Sequence, residues 1–205
     1  MKTTLIIVRH GEAEFNIAHR IHGKLDSPLT EKGVRQAEKA AAALAGIHID
    51  AIYSSPQQRV VTTTGILKQD RNCPVTYDQR LAEMDCGSWD GKTEEFIRAE
   101  YSDDMRLWET QPHLHTMPGG ESLADVRARL TAFLDGVLKQ NRGETVLVVS
   151  SQVPVMMMTM IFAQEPDEAL WQTPPQGNTA INVVEIDDAG NAAILRRGDV
   201  GHVVP

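Results

Sequence analysis

The stretch T-L-I-I-V-R-H-G-E, from Thr4 to Glu12, indicates the fold class. It consists of a short apolar run followed directly by polar residues. Thr4 to Val8 is rich in β-branched residues and apolar at successive positions, which is typical of a central parallel strand covered on both faces. Arg9 and His10 follow the strand directly. In open α/β sheets, ligands bind beyond the carboxyl ends of the strands, so these two side chains are candidates for a functional site.

Strand-like and helix-like patterns alternate along the rest of the chain. The predicted elements are a helix over Glu31 to Leu44 with Thr30 as its N-cap, a strand over Asp50 to Tyr53, a helix from Pro56 to about Leu67, a helix over Ser122 to Leu138 and a strand over Thr145 to Val149. Ala180 to Ile186 and Ala192 to Leu195 are predicted to pair as a hairpin, because D-D-A-G-N separates them. This order predicts an α/β three-layer sandwich, with a mainly parallel sheet flanked by helices.

The region from about 87 to 120 differs from the rest, since it is rich in charge, Trp and His and lacks a clean strand pattern. It is predicted to form a helical insertion or lid above the sheet. Trp89 and Trp108 of this region, together with Trp171, could line a pocket, although packing is expected to account for at least one of them. No repeat or linker divides the chain, so residues 1–205 are expected to form a single domain.

Composition limits the classes of partner. A net charge of -8 disfavours nucleic acid, whose phosphates would be repelled over most of the surface, but it leaves room for a small positive pocket. The apolar stretch from Thr145 to Ala163 is interrupted by polar residues and a proline, so it predicts a strand, a turn and a helix rather than a membrane span. With no signal-peptide pattern and with no C-x-x-C spacing between Cys73 and Cys86, a cytoplasmic protein with free thiols is expected.

Arg9 and His10 together suit a phosphoryl group. A guanidinium binds oxygen atoms in a bidentate manner, and a neutral imidazole offers a nitrogen lone pair. Gly11 is expected to let the backbone approach a ligand closely. The alternative is an exposed Arg-His pair without function. The residues Arg9 to Glu12 alone do not decide between this alternative and a phosphoryl site. Arg59, after the second predicted strand, and Glu83 add a second cation and a carboxylate.

Six short motifs occur in an order that resembles the histidine phosphatase superfamily, the phosphoglycerate-mutase-like fold. They are R-H-G-E at Arg9 to Glu12 with Asn16 after it, H-G-K-L-D-S-P-L-T-E-K-G at His22 to Gly33, S-S-P-x-x-R at Ser54 to Arg59, R-L-A-E at Arg80 to Glu83, G-S-W-D-G at Gly87 to Gly91 and P-G-G-E-S at Pro118 to Ser122. Within that family the chain looks most like the short bacterial broad-specificity phosphatases, through Trp108 to His115 and Leu170 to His202.

The resemblance implies a mechanism with a covalent intermediate. His10 would attack phosphorus and form a phosphohistidine. Arg9 and Arg59 would hold the phosphoryl oxygens, where preorganised positive charge is most effective. Glu83 would protonate the leaving alkoxide and then accept a proton from water. Asn16 looks like an auxiliary oxygen ligand. No metal ion and no cofactor would be required, because the arginines supply the positive charge.

The chain departs from the family pattern at a second histidine. The corresponding segment is V-V-S-S-Q, and Ser151 occupies the position of that histidine, followed by Gln152. Both residues are candidate substrate-binding residues. Ser151 is predicted to be the N-cap of the following helix, whose N–H groups could still bind an anion. Losing one preorganised donor commonly lowers a rate by on the order of 10² to 10³.

Four other histidines could compensate for the missing one, namely His22, His113, His115 and His202. The spacing His113-x-His115 also invites a metal site, but two histidines without a nearby carboxylate or Cys are weak evidence, and a solvated loop is the favoured interpretation.

Three functions are consistent with these residues. The leading hypothesis is a phosphomonoesterase that hydrolyses small phosphorylated metabolites through phospho-His10, weakened by Ser151. The alternatives are a phosphoglycerate-type mutase and a non-catalytic pseudo-phosphatase that binds phosphorylated ligands. The expected partner is a small phosphorylated substrate, without nucleic acid or membrane, and a homodimer is possible.

Overall fold

A six-stranded sheet forms the centre of the structure, a computed structural model that describes residues 1–203. The strands are β1 (Thr3–Arg9), β2 (Ala51–Ser54), β3 (Val75–Tyr77), β4 (Thr145–Ser150), β5 (Ile181–Ile186) and β6 (Ala192–Asp199). The α-helices are α1 (Glu14–Ile17), α2 (Glu31–Ala43), α3 (Gln58–Lys68), α4 (Glu94–Glu100), α5 (Ser102–Thr110), α6 (Leu123–Gln140) and α7 (Gln152–Ala163). Within residues 1–203, no helix has both the length and the apolar character needed to cross a membrane.

The strand order is β3-β2-β4-β1-β5-β6. The strands from β3 to β1 are parallel neighbours, β5 runs antiparallel to β1, and β6 runs antiparallel to β5. The prediction of a mainly parallel sheet that ends in a hairpin is therefore confirmed. In the pairing of β1 with β4, Arg9 lies opposite Ser150, and the His10 N–H donates to the Ser150 carbonyl at 3.0 Å. This register brings His10 and Ser151 together at the carboxyl ends of β1 and β4.

Both faces of β1 are covered, which is why its sequence is apolar at successive positions. Leu5 and Ile7 pack into a core with the buried residues of α6 and α7. Ile6 and Val8 pack on the opposite face, against the buried residues of α2 and α3. The sheet therefore separates two layers of helices, and the predicted α/β three-layer sandwich is confirmed.

Helix α3 begins two residues later than predicted. Pro56 lies ahead of the helix, and Gln57 is its N-cap. The Asp26 carboxylate, from a distant loop, accepts the N–H of Gln58 and also that of Arg59 at 3.4 Å. This long-range cap satisfies donors at the helix start that no local side chain bonds, so it determines where the helix begins.

The region from 87 to 120 is helical, as predicted. It contains the 3-10 turn Gly87–Trp89, helices α4 and α5, and the 3-10 turn Pro112–Leu114. Its two ends pack backbone against backbone. A Cβ atom on Gly120 would lie 2.1 Å from the Asp85 carbonyl oxygen, and one on Gly87 would lie 2.1 Å from the Pro118 carbonyl oxygen. Only glycine fits at these two positions, and this contact holds the two ends of the insertion together.

Candidate active site

A cavity of about 230 Å³ opens at the carboxyl ends of β1 and β4. The candidate site residues that line it are Arg9, His10, Asn16, Glu83 and Gln152. Arg59 and Ser151 are completely buried next to this cavity rather than in its wall. The structure thus brings together residues from four separate segments of the chain.

His10 is buried and held in one tautomer. Its Nδ1 lies 2.7 Å from the Gly11 carbonyl oxygen. Because a carbonyl only accepts, Nδ1 carries the proton and the lone pair is left on Nε2. Burial, assisted by the charges of Arg9 and Arg59, lowers the pKa of His10 well below its usual value. The imidazole is therefore neutral at neutral pH, which is the form that can act as a nucleophile.

The arginines Arg9 and Arg59 are fixed by protein oxygens, yet the Nε group of each is not used by these contacts. Arg9 donates from Nη1 to the Gln176 carbonyl at 2.6 Å. Arg59 donates to the Asp26 carboxylate at 2.9 Å and to the carbonyl oxygens of His22, Gly23 and Leu25. Within residues 1–203, the buried Nε of each arginine has no hydrogen-bond partner. A bound anion would satisfy both donors, each of which otherwise costs about 1–3 kcal/mol.

Burial lowers the pKa of Arg9 to about 10, and the charge of Arg59 contributes to this shift while Glu83 opposes it. Arg9 therefore remains a cation at neutral pH. The site combines two buried positive charges with a neutral imidazole, in a protein whose net charge is -8. This local reversal of charge favours a small anionic ligand.

Glu83 is a buried carboxylic acid at the edge of the cavity. Its carboxylate accepts the N–H of Met84 at 2.8 Å and that of Val153 at 3.4 Å. Burial raises the pKa of Glu83, although these N–H donors and the two arginines partly oppose the shift. A raised pKa makes this carboxyl group a candidate both to donate and to accept a proton during the reaction.

Two long-range hydrogen bonds hold the segment that carries Glu83. Ser150 Oγ, at the end of β4, donates to the Leu81 carbonyl at 2.6 Å. Gln57 Oε1, at the start of α3, accepts the Glu83 N–H at 2.8 Å. Ser150 is adjacent to Ser151, and Gln57 lies two residues before Arg59, so the position of the carboxylate is coupled to that of Arg59 and Ser151.

Asn16 lies in the first helical turn after β1. Its Oδ1 accepts the Ala13 N–H at 2.9 Å, which leaves its Nδ2 group as a donor next to the cavity. This arrangement is compatible with the predicted role of Asn16 as an oxygen ligand.

The close neighbour that Gly11 accommodates in the structure is protein backbone. A Cβ atom on Gly11 would lie 2.4 Å from the Gly33 carbonyl oxygen, and one on Gly33 would lie 2.0 Å from the Glu12 carbonyl oxygen. The two glycines therefore let the end of β1 contact the first turn of α2. Gly33 stands in the T-E-K-G motif, and its role required the three-dimensional contact to be recognised.

Ser151 occupies the N-cap position of α7, as predicted, but its side chain caps nothing. Its hydroxyl is buried and has no hydrogen-bond partner within residues 1–203. The Val153 N–H in the first turn of α7 donates to Glu83 instead. One buried hydroxyl donor is therefore available to a ligand at the position where the family pattern has an imidazole.

Of the four histidines that could compensate for Ser151, His22 lines the cavity and the other three do not. His115 is buried between Trp89 and Trp108, with ring centroids 5.1 and 6.1 Å away. His202 lies 3.1 Å from Thr179 Oγ1.

The nearest carboxylate oxygens to His113 and His115 belong to different residues, at 4.0 Å on Glu168 and 3.9 Å on Asp104. Among residues 1–203, no group of three or more His, Cys, Asp or Glu side chains could hold a metal ion.

Aromatic residues form the outer wall of the cavity. Trp89, Trp108 and Trp171 all line it, together with Phe15 and Met117, which the sequence pattern did not indicate. Trp171 donates from Nε1 to the Trp108 carbonyl at 2.7 Å, and the two indoles meet edge to face. Trp89 is completely buried, so it also belongs to the core, as expected for at least one of the three.

Comparisons with known proteins identify the family. The model of the histidine phosphatase superfamily (branch 1) matches residues 5–199. Phosphoserine phosphatase 1 of Hydrogenobacter thermophilus is 41% identical over 154 residues, which is 75% of this chain and 73% of that protein. A Salmonella choleraesuis protein named "Probable phosphoglycerate mutase GpmB" is 34% identical over 144 residues, which is 70% of this chain and 67% of that protein.

A solved structure shows the same fold. Bacillus stearothermophilus YhfR superposes with a TM-score of 0.95 at 34% sequence identity, and the match covers 98% of this chain and 100% of that chain. The motif order, the fold and the family match lead to one conclusion. The chain belongs to the histidine phosphatase superfamily.

Proposed function

We propose that the protein is a phosphomonoesterase that hydrolyses small phosphorylated metabolites through a phosphohistidine on His10. One observation carries the proposal. His10 is neutral, its lone pair is on Nε2, and it is close to two buried arginines that each keep an unpartnered Nε. A phosphoryl group between these residues would satisfy the arginine donors and present phosphorus to the nucleophile.

In the first step, His10 Nε2 forms a bond to phosphorus while the bond from phosphorus to the ester oxygen breaks. Arg9 and Arg59 stabilise the charge on the three equatorial oxygens. The protonated carboxyl of Glu83 donates its proton to the leaving alkoxide, so the alcohol departs neutral. Asn16, Ser151 and Gln152 are proposed as further substrate contacts; for Asn16 and Ser151 the contact would be a hydrogen bond to the phosphoryl oxygens.

In the second step, a water molecule attacks the phosphorus of phospho-His10. The Glu83 carboxylate takes one proton from this water, and the nitrogen–phosphorus bond breaks. The products are inorganic phosphate and neutral His10 with protonated Glu83, so the enzyme returns to its starting state.

We further propose that the reaction needs no metal ion, because Arg9 and Arg59 supply the charge that stabilises the phosphoryl oxygens. Purified protein is expected to release phosphate from p-nitrophenyl phosphate and from O-phosphoserine at the same rate with and without excess EDTA. Phosphoserine is included because a relative carries the name phosphoserine phosphatase 1. Loss of activity on chelation that Mg²⁺ restores would contradict this part of the proposal.

A phosphoglycerate-type mutase is the second candidate, favoured by the likeness to the Salmonella protein. A mutase would keep its phosphoryl group long enough to return it to a second hydroxyl of the substrate. It would need a bisphosphorylated primer and would convert 3-phosphoglycerate to its 2-isomer without releasing phosphate. Product analysis by NMR distinguishes this outcome from hydrolysis.

The third candidate is a non-catalytic phosphate-binding protein, and the unpartnered Ser151 hydroxyl motivates it. Replacing Ser151 with His tests this candidate, because an added imidazole would stabilise the charge that develops in the transition state. We expect Ser151→His to raise kcat for p-nitrophenyl phosphate by about tenfold or more. A wild-type protein that binds orthovanadate but shows no turnover, and that stays inactive as Ser151→His, would be a pseudo-phosphatase.

A further inference from the structure

His22 is an imidazole in the cavity wall whose contacts leave one nitrogen unused. Its side chain is 9% exposed, and its ring centroid lies 5.9 Å from that of His10 in an edge-to-face arrangement. Its Nδ1 is buried and has no hydrogen-bond partner within residues 1–203. A buried polar nitrogen without a partner is costly, at about 1–3 kcal/mol, unless a ligand satisfies it.

Neighbouring side chains hold the His22 ring in place. The Phe15 ring lies 5.0 Å away between centroids, and Arg59 Nη2 donates to the His22 carbonyl at 3.2 Å. The backbone of His22 is therefore held by the same arginine that serves the phosphoryl site, and its ring packs against Phe15.

The other ring nitrogen determines which proton His22 can offer. Ser27 Oγ lies 3.4 Å from Nε2 and already accepts the Phe15 N–H at 3.1 Å. The Ser27 hydroxyl can donate its proton to Nε2, and in that arrangement the imidazole proton is on Nδ1. Asp26 Oδ1, at 3.9 Å from Nε2, would stabilise a second proton there if the ring became charged. With this tautomer, Nδ1 is a donor in both the neutral and the charged ring.

The charges around His22 favour hydrogen-bond donation from this ring to an anion. Burial lowers the pKa of His22 to about 3, with Arg59 and Arg9 contributing and Asp26 opposing. The empty site therefore holds a neutral ring among cations. A phosphoryl dianion would offset those cations and favour the protonated ring, so the same imidazole could donate to the ligand as a neutral group or as a cation.

We propose that His22 supplies the second imidazole of this active site, donating a hydrogen bond from Nδ1 to a phosphoryl oxygen in place of the histidine that Ser151 replaces. The inference rests on the proposed phosphatase function. Ser151 offers a neutral hydroxyl on a short side chain, whereas His22 reaches the cavity from the loop that follows α1. His22 would then contact the reacting group and be a catalytic residue.

The test is a double-mutant cycle between positions 22 and 151. His22→Phe keeps an aromatic ring for packing against Phe15 but removes both nitrogens. In the native Ser151 background this change is expected to lower kcat for p-nitrophenyl phosphate by about 10²-fold. In the Ser151→His background the same change is expected to cost less than about fivefold, because the restored imidazole shares the task.

A packing role for His22 predicts a different pattern, namely equal losses in the two backgrounds. Equal losses, or no loss in the native background, would overturn the inference. His22→Gln retains a side-chain N–H donor and is expected to keep more activity than His22→Phe. If the Phe variant fails to fold, His22→Gln replaces it in the double-mutant cycle. His113→Phe, outside the cavity, is the matched control and is expected to stay within about twofold of wild type.

Orthovanadate binding keeps the inference testable independently of turnover. If wild-type protein shows no activity above His10→Ala, the proposed function fails, and calorimetry with orthovanadate then decides the role of His22. We expect His22→Phe to weaken orthovanadate binding by about tenfold in the Ser151 background, the loss of one hydrogen bond to a charged group. Unchanged affinity would overturn the inference.

Discussion

Replacing His10 with Ala is expected to lower kcat for phosphate release by at least about 10⁴-fold, because the variant has no atom that can form the covalent intermediate. The remaining arginines would still bind the phosphoryl group, so orthovanadate affinity should change far less than kcat. Steady-state assays with p-nitrophenyl phosphate, together with calorimetry, measure both quantities on the same protein.

The His10→Ala variant is expected to fold. The structural hydrogen bonds at this position come from the backbone, since the His10 carbonyl accepts the Thr179 N–H and the Asn178 side chain, both at 3.2 Å. A thermal melt checks this point. A folded variant that keeps more than about one hundredth of wild-type kcat would show that His10 is not the nucleophile.

Replacing Glu83 with Gln is expected to have the second largest effect, and the effect depends on the leaving group. With O-phosphoserine, whose alkoxide must be protonated, kcat should fall by about 10²- to 10⁴-fold. With p-nitrophenyl phosphate the leaving phenolate is stable as an anion, so the first step should remain fast. The second step still lacks its base, and nitrophenolate should appear as a burst of one equivalent followed by slow turnover.

Stopped-flow absorbance resolves the burst from the steady state. Wild-type protein is the control, and the pH profile adds an independent check. Because burial raises the pKa of Glu83, wild-type kcat for phosphoserine should hold to a higher pH than an ordinary carboxylic acid allows, and it should fall as Glu83 ionises. Equal losses with both substrates and no burst would argue against Glu83 as the proton donor.

The regular parts of the fold follow from local pattern. Thr4 to Val8 and Thr145 to Val149 are apolar at successive positions because both faces of the central strands are covered. Strand β3 could not be predicted, since it has three residues and is mostly exposed at the sheet edge, where apolar alternation is not required. The start of α3 depends on Asp26, which is distant in sequence.

Part of the candidate site could also be predicted from the sequence. Arg9 and His10 lie at the carboxyl end of a central strand, so their position at that end of the sheet follows from topology. The contact between Glu83 and the first turn of α7 depends on hydrogen bonds across the sheet edge, which no local pattern shows. The closeness of His22 to His10 also required the folded loop, because eleven intervening residues leave their separation undetermined.

Turnover through phospho-His10 requires a covalent intermediate, so trapping this intermediate is the decisive experiment. Wild-type protein and Glu83→Gln would be mixed with p-nitrophenyl phosphate, quenched in base on the millisecond scale and digested for mass spectrometry. We expect one added phosphoryl group on the peptide that contains His10, more abundant in Glu83→Gln and absent from His10→Ala. Turnover without any phosphoenzyme, or with phosphate on another residue, would contradict it.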